Sequence, residues 1–442
     1  MKKIGFGLLG ILTVATIYYF TAGAEQLATQ MKKEVTDAFA SLQTQGFGIK
    51  KSVTEEKKEH YTLSLNEPQK VTSYLRLQGV RISQKDIQAL QGLTLGIDVS
   101  YLANNYSAVS FDIYPLTLPT LLTASADNKE KRILKQIQKM IQKKTFLLHM
   151  DVNKLGTGFK GYMKDINEII ADKKKVTLSM KGFTFTGEIK ENKLLNIRQK
   201  LKNITIQGED EVAIQCNHLI SNYTSTGHTK YDYHIDYRLK EILFSAKALL
   251  KLHITNIAID SHSKVINTLA AADSQTKIES IVLEQRQKES RLESLLLEIK
   301  AKNIDTQALE KLETIDPKDE KALLKALQTL ISKGFGLEIP NFSAKNIIYE
   351  NQKLDAFKIS SHLDIDKTLD VSTLRKTPMA AINSIDADLH LSLSNQLFNF
   401  LSKQPQAMLV MMLFQPKDVN NQKVYNVELK DGTLRVNGKQ AM

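Results

Sequence analysis

Tryptophan is absent from this 442-residue chain, and cysteine occurs once, at Cys216. A lone cysteine excludes an intramolecular disulfide and any cysteine-cluster metal site. The H-E-x-x-H zinc spacing, the G-x-S-x-G nucleophile elbow and the phosphate-binding G-x-x-x-x-G-K-[ST] loop are also missing. The nine histidines are scattered without close ligand spacing; His228 and His234 lie near each other but bracket a tyrosine-rich stretch and read as surface residues. These absences assign no catalytic residue, cofactor or metal, and the expectation is a protein that is not an enzyme.

Acidic residues are in deficit, leaving a formal net charge of +12. Such an excess suits an anionic surface: lipid headgroups, nucleic acid or acidic glycans. Between Lys129 and Lys175, thirteen Lys or Arg stand against five acids. Charge is missing altogether from Ile4 to Ala24, and a spanning helix needs about 20 such residues. With Lys2 and Lys3 before it, the segment reads as an inner-membrane span that leaves the bulk of the chain in the periplasm. Ala22-Gly23-Ala24 also fits a signal-peptide cleavage pattern, although the apolar core is long for one. Either reading exports the chain and removes nucleic acid as a partner.

Two glycine patterns lose their sharper meaning in context. Gly5 to Gly10 satisfies G-x-G-x-x-G inside the apolar segment, with no strand before it. Gly156, Gly158 and Gly161 follow a strand ending near Val152 and precede a helix-like run from Tyr162, but the next strand lacks the acid that a ribose would need. A glycine-rich turn is the expectation there.

A helix is expected from about Glu25 to Gln43, with Val35, Phe39 and Leu42 on one face. Alternation then dominates as far as Asp260, including Leu95-Ile97-Val99, Phe111-Ile113, Leu148-Met150-Val152, Ile214-Cys216 and Tyr233-Ile235-Tyr237-Leu239. Asp98, Asp112, Asp232 and Asp236 are placed on the opposite, wet face. From Lys264 to Lys333 the spacing turns helical, with a long Lys277–Lys300 helix, although Gln285 and Glu289 interrupt its apolar seam. A second strand-rich part follows, closed by an Asp431-Gly432 hairpin. Gly46-Phe47-Gly48 and Gly334-Phe335-Gly336 each read as a helix-to-strand joint, the first glycine left-handed and the phenylalanine inward.

Lys129–Lys144 is a basic amphipathic helix. It has Ile133, Ile137, Met140 and Ile141 on one face and Lys131, Lys135, Lys139 and Lys143 on the other, and those lysines are the membrane-surface candidates. The run Ala407–Phe414 is too short to span; Met408, Met411, Met412 and Phe414 are candidates for contact with an apolar ligand, as well as for core.

The basic start and anchor with "YYFTAGAEQ", "KNIDTQALEKL", "LISKGFGLEIPNFSAKNI" and the closing "VYNVELKDGTLRVNGK" resemble the YdgA-like family of bacterial envelope proteins, a group of unknown function. The resemblance implies an inner-membrane anchor with a large periplasmic part and supplies no catalytic residues. The lysine-rich middle and the Tyr-Tyr-Phe anchor edge depart from it.

The combined expectation is an α+β chain, mainly antiparallel sheet, in four parts: an anchor over 1–24, a β-rich part over 25–262, a helical segment over 263–334 and a second β-rich part over 335–442. Its sheet would offer lipid, or another hydrophobic ligand, a concave apolar surface. The alternative is a protein-interaction module or scaffold of the cell envelope, self-associating as a homodimer through the Lys277–Lys300 helix.

Overall fold

The computed structural model describes residues 28–77, 84–102, 104–124, 128–171, 175–190, 193–209, 211–247, 249–315, 319–372, 377, 382–405 and 414–441. The segment Ile4–Ala24 lies outside the described residues, and no described helix is long and apolar enough to cross a membrane. The fold is mainly antiparallel sheet with several helices. Two compact units make it up, one ending at Thr224 and one beginning at Ser225, where the four-part division places no boundary.

In the first unit, β1 (Phe47–Glu55), β2 (Lys58–Leu65), β3 (Thr94–Tyr101), β4 (Ser107–Pro115), β5 (Leu148–Asn153) and β6 (Gly158–Met163) pair in that order. β6 pairs β9 (Thr184–Lys190), which runs along the first half of β10 (Lys193–Gly208). β8 (Lys175–Lys181) takes the second half, with β7 (Ile166–Ala171) outside it, and β11 (Val212–Ser225) lines the other edge of β10. Helix α1 (Ala28–Thr44) buries Val35, Phe39 and Leu42, and the Phe39 ring stacks on Tyr61 at 4.1 Å. Helices α2 (Pro68–Leu77) and α3 (Gln84–Ala89) add Val71, Leu75 and Ile87 to a core shared with Val99, Phe111 and Met150. Each such side chain, fully buried, stabilises by roughly 1.5–3 kcal/mol, so this packed layer is what holds the unit together.

The helix expected after Gly161 is absent. Met163 and Ile166 are three apart because a corner at Lys164-Asp165 separates β6 from β7, and this mimics helical spacing. Asp232 is not on a wet face either. It is buried and accepts hydrogen bonds from the Thr229 amide at 2.9 Å, the Thr229 hydroxyl at 2.8 Å and the Val265 amide at 2.8 Å.

The second unit is a long meander. β12 (Tyr233–Ala246), β13 (Leu250–Ile266), β14 (Leu269–Gln285), β15 (Lys288–Asp305), β16 (Phe335–Tyr349), β17 (Gln352–Ile365), β18 (Ile385–Ser394), β20 (Gln422–Lys430), β21 (Thr433–Val436) and β22 (Lys439–Gln440) pair in that order. β19 (Lys417–Val419) adds to β20. Two-residue turns with both residues at positive φ join many of these strands, at Asn267-Thr268, Arg286-Gln287, Glu350-Asn351 and the foreseen Asp431-Gly432. That backbone twist matches the twist of the strands it connects.

The Lys277–Lys300 helix is therefore overturned: those residues belong to β14 and β15. Helix in the 263–334 segment is confined to α6 (Thr306–Thr314) and α7 (Glu320–Ile331) among the described residues, after the short helices α4 (Thr120–Ala124) and α5 (Asn128–Gln142) of the first unit. Asp305 and Asp319 cap α6 and α7, each accepting from an amide three residues on, at 2.8 and 3.0 Å. Both Gly-Phe-Gly joints form. Gly46 has φ +91° and Gly334 φ +76°, the next phenylalanine opens a strand each time, Phe47 is buried and Phe335 packs on Ile331.

Candidate functional site

Cross-strand pairing places apolar residues opposite one another over most of the second unit. One row runs Tyr237, Ile259, Thr276, Leu297, Phe342, Ile359, Leu391 and Tyr425, from β12 to β20, with Thr276 its one member outside the apolar and aromatic types. Two neighbouring rows run Leu239, Ile257, Ile278, Leu295 and Ile242, Ile254, Ile281, Leu292, Ile347. Between them the ladder is interrupted at Lys240/Asn256 and Glu279/Ser294, and Asn256 and Ser294 take φ +48° and +53°. Apolar residues thus recur three apart along each strand there. Among the described residues, the β12–β15 members of these rows are only half-buried, Leu239 excepted, and none belongs to a buried core cluster. Rows of partly exposed apolar side chains that continue across several strands are candidates for a binding face.

The first unit carries a polar row, of which the alternation points to Asp98 and Asp112 but not to their histidine partners. His60, Asp98, Asp112 and His149 lie opposite one another on β2, β3, β4 and β5. His60 Nδ1 is 2.6 Å from Asp98 Oδ1, Lys144 Nζ donates to Asp98 Oδ2 at 2.9 Å, and the Tyr114 hydroxyl donates to the same carboxylate at 3.0 Å. Burial alone would raise the Asp98 carboxyl, yet these hydrogen bonds together hold it below the usual carboxylate range. The carboxylate of Asp112, 2.7 Å from His149 Nδ1, pushes that imidazole above its ordinary value against the opposing effect of burial. Side-chain hydrogen bonds from His60 and Tyr114 to Asp98, and between His149 and Asp112, thus join β2 to β3, β3 to β4 and β4 to β5.

In the second unit an open cleft of about 690 Å³ is lined by His262, Asp273, Lys300, Lys302, Glu338 and His362, among others. Asp273 is opposite both His262 and Lys300, and Glu338 opposite both Lys300 and His362, so the polar lining also follows the ladder. Lys302 and His362 both reach Asp364, at 3.0 and 2.7 Å.

The sequence candidates fall elsewhere. Lys131, Lys135, Lys139 and Lys143 are exposed along and just beyond α5, while Met140 and Ile141 are buried beneath it. Met408, Met411 and Met412 lie outside the described residues, and Phe414 is half-buried in a bend. Neither the apolar rows nor the histidine groups can be found by motif, because antiparallel pairing alone brings their members together. No family model, curated protein or solved structure matches this chain.

Proposed function

We propose that this chain is an envelope protein, held by its amino-terminal apolar segment on the outer face of the inner membrane, whose second-unit sheet receives the hydrocarbon part of a lipid. The observation that carries the reading is the set of apolar rows across β12–β15, half-buried apart from the buried Leu239 and outside any buried cluster among the described residues. Supporting it are the uncharged Ile4–Ala24 segment, the exposed lysines of α5, which suit anionic headgroups at about 1 kcal/mol each near a membrane surface, and the YdgA-like resemblance. A ligand with a long apolar chain fits rows that continue strand after strand better than a compact one does.

Self-association through a Lys277–Lys300 helix is not available, since those residues form a strand pair; a protein-interaction role is the second reading. The test is native mass spectrometry of the full chain purified in detergent. Co-purifying lipid is expected with the wild type and not with an Ile254→Asp, Ile278→Asp variant that keeps its β circular dichroism. An empty, stable oligomer, or lipid retained by that variant, contradicts the reading.

A further inference from the structure

His234 and His262 are 28 positions apart in the chain but directly opposite on β12 and β13, and Asp260 sits two residues before His262 on the same strand. The imidazoles stack with centroids 4.0 Å apart and planes at 15°. Each offers Nε2 to the one carboxylate: His234 Nε2 is 3.0 Å from Asp260 Oδ2, and His262 Nε2 is 2.6 Å from Asp260 Oδ1. One ligand atom from each residue lies within 4.8 Å of the others.

We infer that His234, Asp260 and His262 form a binding site for a divalent transition ion, with zinc the best fit. Two imidazole nitrogens and one carboxylate oxygen disfavour calcium and magnesium, which take oxygen ligands, and suit zinc, which accepts nitrogen and oxygen together, most often in a tetrahedral set. Zinc lies roughly 2.0–2.1 Å from such ligands, so tetrahedral partners stand roughly 3.3 Å apart. The present carboxylate–imidazole contacts need to part by less than about 1 Å to admit the ion. All three side chains stand on one hairpin of long paired strands, which keeps them together before metal arrives. Their part exposure leaves at least one coordination position to water, the arrangement of an open rather than a purely structural zinc site. His262 also lines the cleft, so the ion would stand at its border.

The test is calorimetric titration of Zn²⁺ into the full, untagged chain in detergent micelles above neutral pH. One equivalent is expected to bind, and His234→Gln, Asp260→Asn and His262→Gln are each expected to weaken binding at least about tenfold, the lower range seen even for residues that only support ligands. His390→Gln, remote in the ladder, should change nothing. No uptake by the wild type, or unchanged affinity in the His234→Gln, His262→Gln double variant, overturns the site. Should the variants lose their β circular dichroism, ¹⁵N histidine spectra of the wild type decide: zinc-induced shifts confined to His234 and His262 support it, and shifts at other histidines alone refute it.

Discussion

At the residue scale, stability in the first unit depends on side chains that fill space left by their neighbours. Phe159 faces Gly187 and Phe185 faces Gly161 across β6 and β9, so each ring lies over the glycine opposite it. A Cβ at Gly161 would overlap the Phe185 ring and the His149 carbonyl. Gly161→Ala is expected to lower the stability of this unit by about 1–3 kcal/mol in urea unfolding, as overpacking does. Glu59 makes a second prediction. Its carboxylate is buried, accepts from the Tyr61 and Tyr101 hydroxyls at 2.7 and 2.9 Å and pairs with Lys51 at 2.7 Å. Burial alone would raise its pKa, but Lys51 and the two tyrosines outweigh it and hold the group below its ordinary value of 4.5. A depressed folded-state value stabilises at pH above the unfolded one, and that stability is lost as the pH falls through the folded value. Urea midpoints for the first unit should therefore drop below about pH 4.5, and Glu59→Gln should flatten that part of the acid limb.

At the element scale, the two Gly-Phe-Gly joints separate backbone strain from crowding. An added Cβ at Gly334 meets only the Ile365 carbonyl at 3.6 Å, so Gly334→Ala is expected to cost about 1–2 kcal/mol, the penalty of a left-handed residue. At Gly46 it would meet the Glu67 Cβ and carbonyl at 2.9 Å, and Gly46→Ala should cost more in the same unfolding assay. These joints were legible because glycine and helix period speak together, as were α1, α5 and the strands with strict alternation. Strands β14 and β15 were not. Their turn, Arg286-Gln287, contains none of the residues that usually signal one, and the interruption at Glu279/Ser294 puts Ile278 and Ile281, and Leu292 and Leu295, three apart as a helix would. The His234–His262 pair stayed hidden for a related reason: its spacing is set by the length of a hairpin, and no local pattern encodes that.

At the scale of the whole molecule, each unit is built on antiparallel strands, but they spend their apolar residues differently. The first covers its sheet with helices and closes a large core; in the second, among the described residues, long rows are half-buried and the buried clusters around Ile331 and Leu354 are small. That contrast is why the proposed lipid site is assigned to the meander. The measurement that tests it most directly is photo-crosslinking in cells, with a photoreactive amino acid at Ile278, within an apolar row, or at its neighbour Lys277, which is exposed. Lipid adducts at position 278 and none at position 277 are the predicted result; no adduct at 278, or equal labelling at both, would contradict it.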